Sequence, residues 1–217
     1  MKTKSIPLAW FITPHGFGHA SRSLAVMEQC LAQEQIDYHF HIFTTVPRWF
    51  IEGSIGATHH TYHPLLCDIG LIHQSSLQED VPASLERLQT FYPISSELLH
   101  SLAEQVVAVG CSLVVSDISP MGLLVAETAG IPSVLIENFT WDWIYQGYPS
   151  YQQEFSALIE ELQQRYALAT YHIQSEPICV FDASATLHVS PISRQARSTL
   201  VQTRERLQIP TDKKVCL

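Results

Sequence analysis

Positive charge is scarce in this sequence. The 217 residues carry 12 Lys and Arg against 21 Asp and Glu, a net charge of −9 with histidine neutral. Neutralising a nucleic-acid backbone needs a basic stripe. The densest basic cluster is the short group Arg204, Arg206, Lys213 and Lys214, so no nucleic-acid partner is expected. Long apolar runs are also lacking. No stretch approaches the roughly 18 apolar residues of a membrane helix, and no transmembrane segment is expected. The run from Ile6 to Ile12 is interrupted by Pro7, stops at Thr13-Pro14-His15 and has no small-residue cleavage pattern after it, so it reads as a buried strand rather than a signal peptide. The five cysteines (Cys30, Cys67, Cys111, Cys179, Cys216) are odd in number, widely spaced and free of any CxxC pair. They read as reduced thiols of a cytoplasmic protein, mostly filling core. Charged residues make up only 15% against 46% hydrophobic, which excludes a disordered chain. Size scaling gives a folded surface of about 10,000 Å² against roughly 35,000 Å² unfolded, enough for one sizeable core.

What is present is an alternation of short apolar runs with longer helical patterns. Leu8 to Ile12 reads as a first strand, followed by a helix from about Ser21 with Leu24, Met27 and Leu31 at helical spacing. Tyr38 to Thr44 is a second strand, a weaker third lies near Thr58 to Tyr62, and Cys67 to Asp80 reads as loop. Val81 to Val109 is helical but interrupted at Pro93, which predicts two helices or one kinked helix. Ser112 to Ser116 is a fourth strand, and Gly122 to Ala129 a helix closed by Gly130 and Pro132. Ser133 to Ile136 is a fifth strand, and a further helix runs from about Gln152 to Leu168. Short strands near Thr170 to Ile173 and Thr186 to Val189 precede a basic helix from Arg194 to Leu207. Strand, helix, strand in this order implies an α/β fold, a doubly wound, mostly parallel Rossmann-like sheet with helices on both faces. The expected organisation is one domain over 1–190. Residues 191–217 would then be a linker helix and, at Val215-Cys216-Leu217, the first strand of a further domain.

The loop Thr13-Pro-His15-Gly16-Phe17-Gly18-His19-Ala-Ser21-Arg22 joins the first strand to the first helix. Glycines there let a ligand approach the backbone, and the free N–H groups of a helix start favour negative charge. Gly16 and Gly18 match the start of a dinucleotide fingerprint, but the third glycine position is Ser21 and the second strand ends Phe43-Thr44-Thr45 without a ribose-binding acid. Nicotinamide and flavin are therefore disfavoured. Two histidines in the loop point to proton chemistry instead. In a 3-2-1-4-5 sheet the first and fourth strands are neighbours, and the crevice at their C-terminal ends is the usual ligand site. That places His19 beside Asp117 of Ser116-Asp117-Ile118-Ser119-Pro120, although 98 positions separate them in the chain. A carboxylate on one imidazole nitrogen fixes the tautomer and leaves the other to take a proton from a hydroxyl.

The segments His15 to Arg22, Val114 to Asp117, Ala129 to Val134 and Asn138 to Tyr145 together resemble the N-terminal half of GT-B glycosyltransferases. In particular they resemble the glycosyltransferase-like N-terminal region of L-arabinokinases and their bacterial relatives, over roughly residues 6 to 217. The resemblance implies hexosyl transfer from a nucleotide-sugar such as a UDP-sugar, with inversion, with His19 as catalytic base and Asp117 assisting it. It implies a small-molecule or glycan acceptor held by this half, with His15, Gly16, Phe17, Gly18, Arg22, Asn138 and Trp141 as the candidate contacts. The nucleotide-sugar donor would bind a domain beyond Leu217, so no cofactor is expected on this chain. Nothing in the sequence supports kinase activity. The alternative is a non-catalytic sugar- or nucleotide-recognising Rossmann-like module, or a truncated, inactive gene product.

Each candidate has a plainer reading beside it. His19 could be a helix-start histidine bonded to backbone, and Asp117 a helix cap. Arg22 opposes the helix dipole, which suits either an anionic ligand or an ion pair with a nearby acid. Trp141, Trp143 and Tyr145 could stack on a sugar face or fill core. His39 and His41 alternate on one strand face and His59, His60 and His63 cluster, but no carboxylate or thiol completes a metal set, and no metal is expected. Arg194, Arg197, Arg204 and Arg206 read as a solvated helix face.

Overall fold

A computed structural model describes residues 5–215. In chain order the elements are β1 (Ile6–Ile12), α1 (Gly18–Leu31), β2 (Tyr38–Thr44), α2 (Arg48–Ile55), β3 (His60–Pro64), β4 (His73–Ser75), β5 (Gln78–Glu79), α3 (Val81–Phe91) and α4 (Ser96–Ala108). They continue as β6 (Val114–Asp117), α5 (Pro120–Ala129), β7 (Ser133–Glu137), α6 (Trp141–Gln146), α7 (Gln152–Tyr166), β8 (Tyr171–Ser175), β9 (Leu187–Val189) and α8 (Leu200–Arg206). Seven strands form one sheet in the order β3-β2-β1-β6-β7-β8-β9, every pair parallel. The expected doubly wound Rossmann-like sheet is what the chain forms, and β1 and β6, the first and fourth strands of the sequence reading, are neighbours.

The period of two along a strand sorts β1 onto two cores. Ala9 and Phe11 face a core built with Phe43 and Val114 under α4, α5 and α7. Leu8, Trp10 and Ile12 face the other, with Phe40 and Ile42 under α1 and α2. Phe11 stacks on Phe43 with ring centroids 4.5 Å apart. Gly122 lets α5 press onto the sheet: a Cβ there would lie 2.8 Å from the Cβ of Phe11 and 2.9 Å from Oγ of Ser116. α5 begins at Pro120 and ends on Gly130 in the left-handed region at φ 66°, the asymmetry expected of helix ends.

Several boundaries differ from the sequence reading. α2 was not expected. It is only eight residues long, ends on Gly56 at φ 73° and is supported by an Arg48–Glu52 pair at 2.7 Å, too short to show helical periodicity. The region read as loop from Cys67 to Asp80 contains the small antiparallel pair β4–β5. The basic helix expected from Arg194 is shortened to Leu200–Arg206 by its Thr199 capping box. Arg194 and Arg197 are therefore not part of a solvated helix face. They return to α2: Arg194 donates to Ser54 Oγ at 3.0 Å and lies over the Phe50 ring, while Arg197 holds the carbonyls of Gly53 and Ser54 and meets Glu28 at 2.8 Å. Val215 is exposed and outside any strand, and Cys216 and Leu217 of the expected further strand lie outside the described residues. Among the described residues no helix is long and apolar enough to cross a membrane.

Candidate functional site

Parallel pairing sets Ile12 opposite Asp117, so the loop after β1 and the end of β6 emerge together at the C-terminal edge of the sheet. α1 begins immediately after that loop, which puts His19 and Arg22 one turn apart on the same face. His19 Nδ1 lies 3.0 Å from Asp117 Oδ1. Arg22 Nε donates to Asp117 Oδ2 at 3.0 Å, Arg22 Nη2 donates to Oδ1, and Ser23 Oγ–H donates to Oδ2 at 2.8 Å. Arg22 Nη1 reaches across to Asn138 Oδ1 at 2.6 Å, joining the end of β7 to the same cluster. Asp117 is fully buried. Burial alone would push its carboxyl up, but the Arg22 cation and the bonds from His19 and Arg22 outweigh it and hold the group below the usual range. It is therefore ionised at neutral pH.

An ionised carboxylate only accepts, so Nδ1 of His19 carries the proton and Nε2 is the free nitrogen. Arg22 Nη2 also stands 3.2 Å from Nδ1; with the proton there, this is a close cation rather than a hydrogen bond. His19 itself lines a cleft of about 330 Å³ with Gly18, Arg22, Asn138, Ser175 and Pro177. The turn that presents Asp117 is strained. Ile118 has φ 49° and is completely buried, a conformation rarely adopted by a β-branched residue.

The other candidates separate into distinct surroundings. Gly16 takes φ 74°, and a Cβ at Gly16 or Gly18 would meet nothing within 4 Å, so the loop is open above its backbone. Phe17 is half exposed and stacks on Phe50 at 4.6 Å. His15 stacks on His73 at 5.3 Å and meets Trp141 edge-on at 5.1 Å. Burial, then the neighbouring His73 and His19, lower its pKa. Gly70, at φ 66°, makes this close packing possible, because a Cβ there would lie 2.7 Å from Trp141 and 2.8 Å from His15 Nδ1. Trp141 is 1% exposed and its indole N–H donates to Asp68; it is a wall of the site with no ring face open to a sugar. Tyr145 is equally buried, while Trp143 is 38% exposed. Phe139 joins His19 to Trp141, packing edge-on against each at 5.5 Å. His41 and His63 bond to each other at 3.1 Å, and His63 to Gln105 at 3.0 Å. Among the described residues no three His, Cys, Asp or Glu side chains are grouped to hold a metal ion.

Two participants were not read from the sequence. Ser23 was hidden inside the apolar pattern of α1, and Asp68 lay in a segment read only as loop. Cys67, in the same segment, is free and buried. Cys67 Sγ–H donates to Ile12 O at 3.1 Å and Ser119 Oγ–H to Cys67 O at 2.7 Å, tying that loop to both β1 and β6. Burial, with Asp68 adding to it, pushes the Cys67 thiol up to about 12, so it is a structural group rather than a nucleophile.

No protein-family model matches the chain. Over 218 residues it is 27% identical to L-arabinokinase of Arabidopsis thaliana, an alignment covering 99% of this chain and 21% of that protein. The chain thus spans about a fifth of the length of the curated relative it matches. Among solved structures, Phytolacca americana UGT2 complexed with UDP-2-fluoro-glucose and pterostilbene superposes with a TM-score of 0.53 at 12% identity, over 93% of this chain and 57% of that one. Acinetobacter baumannii MurG gives a TM-score of 0.48 at 15% identity, over 96% of this chain and 50% of that one. The chain has a glycosyltransferase-like, GT-B-type Rossmann-like fold, and in sequence it is similar to a region of L-arabinokinase, as its motifs imply.

Proposed function

We propose that this chain is the acceptor-binding half of a nucleotide-sugar-dependent, inverting glycosyltransferase. The observation that carries the reading is the His19–Asp117 contact of 3.0 Å at the mouth of the switch-point crevice, where α/β sheets bind ligands. Nδ1 of His19 stays on Asp117 and Nε2 removes the proton of an acceptor hydroxyl. The acceptor oxygen then attacks the anomeric carbon, and the nucleoside diphosphate leaves with the bonding pair. The donor site belongs to a partner domain outside these residues. Arg22 and Asn138 act as positioning residues that hold the carboxylate, and His15, Gly16, Phe17 and Gly18 border the acceptor. Trp141 supports His15 from below.

The test is UDP-sugar turnover by a version of the protein extended to include the donor domain, with and without His19→Ala. Loss of a general base costs about 10²- to 10⁴-fold in rate. Unchanged turnover removes His19 from that role. The 217-residue chain alone is expected to transfer nothing.

One observation favours the second reading, a non-catalytic sugar-recognising module. Arg22 takes both oxygens of Asp117, so part of the negative charge that would stabilise an imidazolium is already neutralised. If extended protein binds sugars but neither it nor any variant transfers them, the second reading replaces the first.

A further inference from the structure

Three carboxyl groups are buried among the described residues: Asp117, Glu137 and Asp68, at 0%, 3% and 1% exposure. An ionised carboxylate inside a protein is costly unless positive charge or a full set of donors meets it. Asp117 has Arg22 and His19. Glu137 accepts from His172 Nε2 at 2.9 Å and Gln174 Nε2 at 2.6 Å, and its bond to His172 raises that imidazole's pKa. Asp68 has no cation. Its Oδ1 accepts from the Ile69 N–H at 2.9 Å and its Oδ2 from the Trp141 indole. The other titratable groups around it are the Cys67 thiol and the hydroxyls of Tyr92, Tyr145 and Tyr166. The nearby Thr13 hydroxyl, with Trp141 and Ile69, offsets only part of the burial. Burial accordingly pushes the Asp68 carboxyl up to about 7.

This acid lines a cleft of about 670 Å³ beside the glycine loop, together with His15, Gly16, His73, Ser75 and Arg87. Arg87 has no ion-pair partner among the described residues. A carboxylate offers about four acceptor positions, and the protein fills two. An anion in this cleft would face Asp68. A cation would face Arg87 and two imidazoles. An apolar ligand would seal the carboxyl away with positions unfilled. A neutral polyol meets both sets: its hydroxyls donate to the acid, and its oxygens accept from guanidinium, imidazole and serine.

We propose that the cleft over Asp68 binds a neutral polyhydroxylated ring, a sugar or cyclitol, whose hydroxyls donate to Asp68 while Arg87 and His73 on the open wall donate to its oxygens. This rests on the reading that this half takes the acceptor, and it names the acceptor's chemical class and the side chain that selects it. The test is direct binding to the 217-residue chain, followed in amide ¹H–¹⁵N spectra during titration with D-glucose, D-galactose, L-arabinose or myo-inositol. Inorganic phosphate and glycine serve as anionic and zwitterionic probes.

At least one polyol is expected to shift signals of residues 66–75 saturably, and Asp68→Asn, still folded by thermal melting, to weaken it tenfold or more. The proposal is overturned if no polyol saturates, if Asp68→Asn binds equally well, or if phosphate or glycine occupies the cleft and the polyols do not. Should Asp68→Asn not fold, Arg87→Ala on the exposed wall takes its place. A several-fold loss is then expected, and unchanged binding overturns the proposal. Binding needs no donor, so this result stands apart from the turnover test: transfer that depends on His19 with polyol binding indifferent to Asp68 sinks only this inference.

Discussion

Replacing Asp68 by asparagine should stabilise the protein, and by more as pH rises. The carboxyl ionises near 7 in the fold against an ordinary value of 3.8. From pH 3.8 to 7 the unfolded chain has released the proton that the folded chain keeps, so stability falls with rising pH across that window and levels off above it. At about 1.4 kcal/mol per pH unit, the ionised fold is about 4 kcal/mol less stable than the protonated one. Asparagine copies the protonated group, with one acceptor oxygen and one donor, and cannot ionise. The variant should match the parent near pH 4 and exceed it by up to about 4 kcal/mol at pH 8.5, roughly 10 °C in melting temperature for a chain of this length. The assay is urea unfolding of parent and variant at several pH values, read as the difference between them, because His41 drives the parent in the opposite direction. A difference that stays flat with pH, or a variant weaker than its parent at pH 8.5, would refute the claim that this carboxyl is buried without compensation.

Other perturbations have equally definite outcomes. Arg22→Met strands the ionised Asp117 in the interior and should cost about 3–5 kcal/mol; adding Asp117→Asn should recover part of that loss, as measured by denaturant midpoints. Burial, then His39 and His63, push His41 down to about 4. Its contribution is therefore complete above pH 6.5 and lost as pH falls toward 4, by roughly 3 kcal/mol, and His41→Phe should flatten that limb of the stability profile. Gly122→Ala forces a methyl against Phe11 and should destabilise by about 1–3 kcal/mol, seen as a lower melting temperature.

The sheet was legible because β1, β2, β6 and β7 are short, strongly apolar and separated by turn residues, and right-handed crossovers leave few ways to arrange them. The His19–Asp117 meeting followed from that order alone. Arg22 was legible only as an anomaly: a cation in the first turn of a helix signals a partner, but nothing in the local sequence distinguishes a ligand from Asp117. Trp141 was ambiguous for the same reason, since helical spacing with Tyr145 does not say whether the shared face meets solvent or core. Asp68 carried no signal at all. Its environment comes from Trp141, 73 positions away, and from tyrosines on α6 and α7, so only the folded chain brings them together. The overextended basic helix was a failure of charge patterning, because Arg194 meets the Ser54 hydroxyl and Phe50 ring, and Arg197 backbone carbonyls of α2, that no local pattern records.

The bend at Ile118 ties the crevice to the interior in an unexpected direction. Its aliphatic side chain is sunk among Met121, Val125 and their neighbours, while the residue just before it aims a charge at the histidine. The orientation of that charge is thus governed by grease beneath the sheet as much as by the polar groups around it. Truncating a methionine or valine on α5 would let the bend relax and swing the acid off target, leaving every polar residue in the crevice untouched.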